Sequence, residues 1–581
     1  MAAPNTFSGR PKVKIEDNDL SDPVAALIDV LIIDDHLQLP DQLTIVWNDP
    51  ARDVFEKCKA KIGAKIEVGV VATGRGAAEG EALFRGEITG LEGAYGIGGQ
   101  QVSLRAYDLS HRLHRGRRTE AYPDKKDSDI ARRLASEAKL EIGAITDSVV
   151  VHPYVSQINL TDWEFLKARA REIGFEVGVN DGKFEFRRAT VNQGAPAAGD
   201  LDAQGALQLT FGSDLVEFHP RLSAVAQVTD VYARGWSYLD KREVVGHSTT
   251  SACNSAPKIP VTPATVMAKF PTTKPHIVTD RSLRTQKEAD AAAEGTAHQV
   301  SAALGEADGV AQGNAKIRAG AAMSIAAVAP EFAGTWTVTS SRHVFDKVGY
   351  KTTFSVTGRQ ERSLLGLASI GATSGVGSAG GPPIYGVVVG LISNIKDPLG
   401  LSRVRLTFPW LSDKYETDWV RMVMPGAGES RGFLWLPAVN DEVLVAFEQG
   451  DVRQPYVLGA LFNGKDKWEI GKSQYDDSGR VTKRGLRSGA GHVLGFIEGP
   501  SKKGAYLKTG DGKLKIKLDE SKTTITVHSD GTVEITGKDI TVNASNSLEL
   551  KAGQTMKLSA MNISIKADAN VDVDGAMITL N

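Results

Sequence analysis

The sequence predicts a mainly β protein with an α+β hub, a small closed barrel and a terminal array of repeated strands. Three observations carry this. Sixty glycines and 23 prolines in 581 residues make the chain turn-rich. Short apolar stretches crowd into residues 384–468. From Ile525 onward, aliphatic residues recur in i, i+2 pairs. At roughly 150 residues per domain the length allows about four domains. Lys+Arg total 68 and Asp+Glu 70, a net charge of −2, which argues against a chain built mainly to coat nucleic acid or anionic lipid. The 41% hydrophobic and 24% charged residues are those of a folding chain. Cys58 and Cys253 form no CxxC pair and suit a reducing compartment. No apolar secretory core precedes residue 14. The longest apolar stretch, residues 24–33, is broken by Asp29 and falls short of the roughly 18 residues that cross a bilayer.

Residues 1–365 alternate strands with helices. Residues 101–107 (QVSLRAY) alternate as a half-buried strand does. Residues 127–140 predict an amphipathic helix with Ile130, Leu134 and Ala138 on one face. Residues 159–173 hold the clearest helix start, a capping box of Thr161 and Glu164, with Trp163, Leu166 and Ala170 following at helical spacing. Phe184 and Phe186 mark a return strand, 287–304 an alanine-rich helix, and 335–344 with 351–356 a closing strand pair. Residues 366–383 are Gly/Ser-rich, end in Pro382-Pro383 and read as a linker. Residues 384–468 offer candidate strands at 386–392, 402–408, 419–424, 432–437, 442–447 and 455–461, which fit a closed barrel such as an OB-fold. Residues 469–524 form a neck.

Residues 525–581 are the repeat. The pairs are Ile525/Val527, Val533/Ile535, Ile540/Val542, Leu548/Leu550, Met556/Leu558, Ile563/Ile565, Val571/Val573 and Ile578/Leu580, at steps of seven or eight. No proline follows Pro500 and no aromatic follows Tyr506. Each unit predicts one short strand and a turn, at residues such as Gly531, Gly537, Asn546, Gly553 and Gly575. A unit is too short for one coil of a three-faced single-chain β-helix, so it supplies one face. Three identical chains can each give one face of an intertwined prism, or one chain can stack two units per coil into a flat solenoid. The three-chain form is preferred. Either product is a stiff rod with its strand edges paired, which suits mechanical work.

On these motifs the sequence resembles the VgrG-like spike proteins of contractile injection systems, with the hub and spike of phage tails and the late control D proteins. Residues 104–113 (LRAYDLSHRL) look like the family's strand and turn around a Tyr-Asp. Residues 159–175 (NLTDWEFLKARAREIGF) are similar to its TD-x-x-FL helix. Residues 332–336 (FAGTW), with Arg342, His343 and Tyr350, look like its closing strands. In the barrel, Asp397, Pro398, Arg403, Val404, Phe408 and Pro409 resemble the DP-x-x-x-x-RV-x-V-x-FP pair, and 419–421, 437–442 and 450–451 match the rest in order. The resemblance implies a homotrimer. Its hub barrels would form a pseudo-sixfold ring over an OB-fold and a triple-stranded β-helix needle. Ile525, Val527, Val533, Ile535, Ile540, Val542, Leu548, Leu550, Met556, Leu558, Ile563, Ile565, Val571 and Val573 would pack the needle core. Ile578, Leu580 and Asn581 would meet a conical (PAAR-like) tip protein, and the hub would meet the inner tube and baseplate. The segment 468–485 is too short for an inserted lysozyme, and the chain ends inside the last repeat, so no appended effector is expected. The needle, about 57 residues, is short for a type VI spike and tilts the reading to a phage-like particle.

Other constellations have plain explanations. Gly375, Gly377 and Gly380 fit GxGxxG but follow no strand and open no helix. Residues 459–465 (GALFNGK) miss a P-loop, because Asp466 stands where Ser or Thr must hold magnesium. His111 and His114 sit among Arg112, Arg115, Arg117 and Arg118 without evident carboxylate or thiol company, so a basic surface turn facing acidic tube or baseplate partners is expected rather than a metal site. Asp572 and Asp574 read as outward residues of a strand. Trp410, Trp419 and Trp435 could stack bases or sugars, but core and trimer packing is the expectation. Cys58 lies between Lys57 and Lys59, which could lower its pKa, and is taken as structural.

The expected function is mechanical: a spike that joins tube and baseplate to a piercing tip. Load would run through the linker and barrel into the needle. No catalytic, cofactor or metal residues, and no nucleic-acid partner, are expected. Effector cargo could travel with it. Assembly is expected in the bacterial cytoplasm without a signal peptide, with delivery to a target envelope on firing. The alternatives are a concealed cell-wall hydrolase and a carbohydrate-binding barrel.

Overall fold

The structure is a computed structural model that describes residues 8–73, 82–188, 207–270, 274–279, 282–358, 384–468 and 474–579. The linker at 366–383, with its GxGxxG-like glycines, and Leu580 and Asn581 lie outside the described residues. The chain divides into two compact units, Met1–Lys465 and Asp466–Asn581.

An eleven-stranded antiparallel sheet organises the first unit. Its order runs Leu215–Leu222, Gly305–Gln312, Tyr350–Val356, Ser340–Phe345, Ile28–His36, Gln42–Asn48, Gly99–Asp108, Ala82–Gly96, Lys65–Thr73, Ser8–Ile15 and Asn18–Asp19. Strand Ile28–His36 buries alternate residues Leu31, Ile33 and Asp35, the period of a one-sided strand. It pairs with Ser340–Phe345 in a register that sets Phe345 against Leu31. That pairing joins segments some 300 residues apart. The expected strand 335–344 is two strands: Gly334–Thr337 pairs with Ala322–Ala326, and after Val338 and Thr339 the chain enters the large sheet. Thr339 carries the crossing, its N–H and hydroxyl both donating to Ser355 O.

Three longer helices pack against smaller sheets: α1 (Asp127–Glu137) and α2 (Asp162–Glu172) against strands between Arg118 and Arg188, and α3 (Gln286–Ala302) against strands Asp230–Ser237 and Arg242–Thr249. Helix α2 starts at the capping box: Thr161 Oγ1 accepts from Glu164 N at 3.1 Å, and Glu164 Oε2 accepts from Thr161 N at 3.0 Å. Its Trp163, Phe165, Leu166 and Ala170 join Ile130 and Leu134 of α1 and Phe184 and Phe186 in one buried cluster. Helix α3 buries alanines rather than large side chains, so it can lie close to strand Arg242–Thr249. Gly246 permits this approach, since a Cβ there would sit 2.1 Å from Ala289 O.

Residues 384–468 form a five-stranded barrel in the order Arg405–Thr407, Val387–Asn394, Glu442–Phe447, Pro455–Ala460, Arg421–Met422. Val404 and Val420 close it by exchanging backbone hydrogen bonds of 3.0 and 2.7 Å. The expected strand 432–437 is not one. Only Arg431–Gly432 pairs, with Ala427–Gly428, and Phe433, Leu434, Trp435 and Leu436 are exposed. The chain there has already left the ladder, because the barrel closes without it.

In the second unit the neck is a five-stranded antiparallel meander: Lys483–Arg487, Val493–Glu498, Lys503–Lys508, Leu514–Asp519 and Thr524–Ser529. The first repeat pair, Ile525/Val527, belongs to this sheet, opposite Leu518 and Ile516. From Asp530 to Thr579 no strand pairing is made among the described residues, and every residue is exposed.

Replacing Thr161 by Ala should destabilise the hub by about 1 kcal/mol, since Glu164 N then loses its acceptor. A lower denaturant midpoint for the hub transition, with the barrel transition unmoved, is the expected result.

Candidate load-bearing interfaces

A chain of charges binds hub to barrel within the first unit. Asp127, at the start of α1, is buried. It accepts Arg169 Nε at 2.5 Å and lies 3.0 Å from His152 Nε2. Arg169 also pairs with Glu172, one turn along α2. Glu172 then reaches Arg453 of the barrel at 3.3 Å, and Arg453 pairs with Asp451 at 2.8 Å. Glu288 of α3 faces the other side of His152 at 3.9 Å. Burial disfavours the His152 imidazolium, but Asp127 and Glu288 outweigh it and raise its pKa. Burial would raise Glu288, yet His152 and the Arg284 and Thr285 amides bring it down to about 2. Asp127 is likewise held well below the carboxylate range, Arg169 and His152 overcoming its burial.

Apolar and aromatic contacts follow the same seam. Ile158 of hub strand Val151–Leu160 is 4% exposed and packs in the barrel core with Val404, Phe408 and Val445. Ser156 Oγ and Tyr415 Oη share a 3.0 Å hydrogen bond, and Tyr154 donates to Glu416 O. Asp397 takes Arg403 Nε and Nη2 at 3.0 and 2.7 Å, so the two motif residues clamp their own turn. Arg403 Nη1 then donates to Tyr238 Oη of the hub at 3.0 Å. Arg284 and Arg421 lie over the Tyr238 ring, each 5.2 Å from its centroid. Hub and barrel thus touch directly along this seam, while the linker through which load was expected to run lies outside the described residues.

The basic surface turn is also corrected. His111 is buried and lies 2.8 Å from Glu87, so a carboxylate is at hand after all. Arg112 pairs with the same Glu87 and donates to Lys139 O. Arg117 pairs with Glu164, and Arg118 with Glu137 and Asp162. His114 stacks on Trp163 at 5.1 Å. The cluster staples the hub internally, because its acids come from other elements that sequence distance hides. Among the described residues no group of His, Cys, Asp or Glu is arranged to hold a metal ion. Burial pushes the Cys58 thiol up, not down, despite its lysine neighbours. Trp410 and Trp435 are exposed, and Trp419 is half-buried under Arg403 and Arg405, so none of the three fills the barrel core.

A group missed in the sequence is the carboxylate trio Asp35, Asp41 and Asp108 around Arg318. Asp35 accepts from Ala319 N at 3.0 Å, Asp41 from His36 N at 3.0 Å, and Asp108 from Ser110 N at 2.9 Å. Burial raises all three, Asp41 strongly and Asp108 to about 7. No spacing pattern announces residues that converge from separate turns.

The repeat residues named from the sequence are exposed wherever they are described. Val533, Ile540, Leu548, Met556, Ile563 and Val571 are each between 51% and 57% exposed, and their partners more so. The meander shows the same trait. Leu486, Leu494, Leu507, Ile516 and Val527 form one row across its strands, all exposed on one face.

Stability should fall as pH rises from about 4 to about 7, between the ordinary and the folded pKa of Asp108. His152 and the trio have folded pKa values above their unfolded ones, so they stabilise below the unfolded values and lose that contribution as pH climbs through the folded ones. His152→Asn and Asp108→Asn should each flatten the fall in melting temperature. Removing one charge of the buried seam, as in Arg169→Met, should cost about 3 kcal/mol by leaving buried Asp127 with His152 alone, measured as a lower denaturation midpoint.

Comparison with known proteins agrees with this architecture. A family model for the Alg8 N-terminal domain matches residues 12–346, more than half of the chain. A model for the type VI secretion system/phage-baseplate injector OB domain matches residues 388–462. The type VI secretion system spike protein VgrG2a of Pseudomonas aeruginosa is 32% identical over 69 residues, 11% of this chain and 8% of its own. The actin cross-linking toxin VgrG1 of Vibrio cholerae is 29% identical over 172 residues, 26% of this chain and 15% of its own. The chain thus spans only a small part of these curated relatives. A solved chain from the Francisella PdpA-VgrG complex, in its half-lidded form, shares the fold with a TM-score of 0.52 at 10% identity, over 91% of this chain and 89% of that one. On the family match over residues 12–346 the chain belongs to the Alg8 N-terminal domain family; it also carries an injector OB domain and shares the fold of the VgrG-complex chain.

Proposed function

We propose that the protein is the homotrimeric central spike of a contractile injection particle. The observation that carries this is the repeat. The thirteen side chains of the repeat pairs from Val533 to Ile578 stand at least half exposed on backbone that makes no strand pairing of its own. Such a segment gains a core and hydrogen-bond partners only from other chains. A flat single-chain solenoid would pair successive units with one another, and residues 530–579 form no such pairs. Two further copies would give each unit its neighbours and cover the apolar face of the meander as well. Ile578, Leu580 and Asn581 would then meet a conical tip protein.

In this reading the hub meets the inner tube and baseplate, sheath contraction supplies the work, and the hub–barrel seam passes it on. No residue of the chain performs chemistry, which fits relatives described as spike proteins; the toxin among them is matched over 15% of its length only. The particle would assemble in the bacterial cytoplasm and carry the spike, with any effector cargo, to the target envelope on firing.

Light scattering on the purified chain should give a mass near three times 62.1 kDa. Val542→Asp combined with Leu550→Asp should lower that mass while leaving the hub transition in place. A stable monomer whose repeat resists proteolysis would overturn the proposal.

A further inference from the structure

We propose that the polar face of the meander is a docking surface for anionic lipid headgroups. The inference rests on the spike reading above, because that assembly covers the apolar face and leaves the opposite one outward. The registers place Arg487, Val493, Lys508, Lys515 and His528 in one row across the five strands. Lys508 and Lys515 are direct cross-strand neighbours. Like charges so placed weaken a sheet. Among the described residues no carboxylate lies within ion-pair distance of either lysine: on this face Asp519 is taken by Lys517 and Asp530 by His528, while Glu498 pairs with Arg484 and Glu520 with Lys503.

The next row on this face holds Gly495, Tyr506, Lys517 and Thr526. Tyr506 lies across Gly495, where a Cβ would come within 2.5 Å of the ring. The ring thereby covers Gly495, with Lys508 and Lys517 on the same face, and a tyrosine among cations suits the depth of lipid headgroups. One aromatic on an open sheet offers no groove to track a nucleic-acid strand. The charge is also local. Residues 530–579 carry seven carboxylates against four lysines, and the whole chain is at −2. Three copies would gather the basic faces around one axis, and the attraction would be salt-sensitive.

The test is co-sedimentation of the full-length chain with vesicles of phosphatidylcholine alone or with about 30% phosphatidylglycerol added. Binding to the anionic vesicles only, lost at high salt, is expected. Lys508→Gln with Lys515→Gln should weaken it tenfold or more at unchanged mass by light scattering, while Lys551→Gln with Lys557→Gln should not. Equal binding to neutral vesicles, or an undiminished double variant, overturns the proposal. So does a DNA oligonucleotide that binds through the same lysines as tightly as the vesicles do, since the occupant would then be nucleic acid. A monomeric mass would instead refute the spike reading, and is read independently of the vesicles.

Discussion

Every strand needs another strand, and this constraint governs each part of the molecule. An extended backbone carries donors and acceptors that cost free energy unless paired. The hub meets the requirement by bringing Ser340–Phe345 to Ile28–His36, so the two halves of the hub share one sheet. The barrel meets it with two hydrogen bonds between Val404 and Val420. The meander pairs its five strands in sequence order. Residues 530–579 do not meet it within one chain, and the proposed assembly follows from that shortfall more than from any single residue.

Charge placement follows a second logic. Inside the first unit, basic groups are matched to carboxylates from distant elements. Glu172 links Arg169 of the hub to Arg453 of the barrel, and Glu87 takes both His111 and Arg112. Buried pairs of this kind add little net stability over apolar packing, but they are intolerant of losing one partner. They therefore fix where the barrel sits on the hub. On the outward face of the meander the pattern reverses, with Lys508 set against Lys515. The contrast between the matched interior and this lysine pair is what makes that face informative.

Patterns confined to a few residues were legible in the sequence. The Thr161/Glu164 cap, helices α1 to α3, most barrel strands and the period of the repeat all arise from neighbours in the chain, where side-chain spacing and hydrogen-bonding reach decide the outcome. The motif pair Asp397 and Arg403 was visible as well, although its reach to Tyr238 was not. The sequence by itself also determined that a unit of seven or eight residues supplies only one apolar face, which leaves a three-chain prism or a two-unit solenoid as its completion. Only the tertiary structure decided which carboxylates neutralise the arginines around His111, that residues 432–437 leave the barrel, that Asp35, Asp41 and Asp108 converge, and that the seam joins hub to barrel. These depend on contacts between residues tens to hundreds of positions apart, and their partners are chosen by geometry that no local spacing encodes.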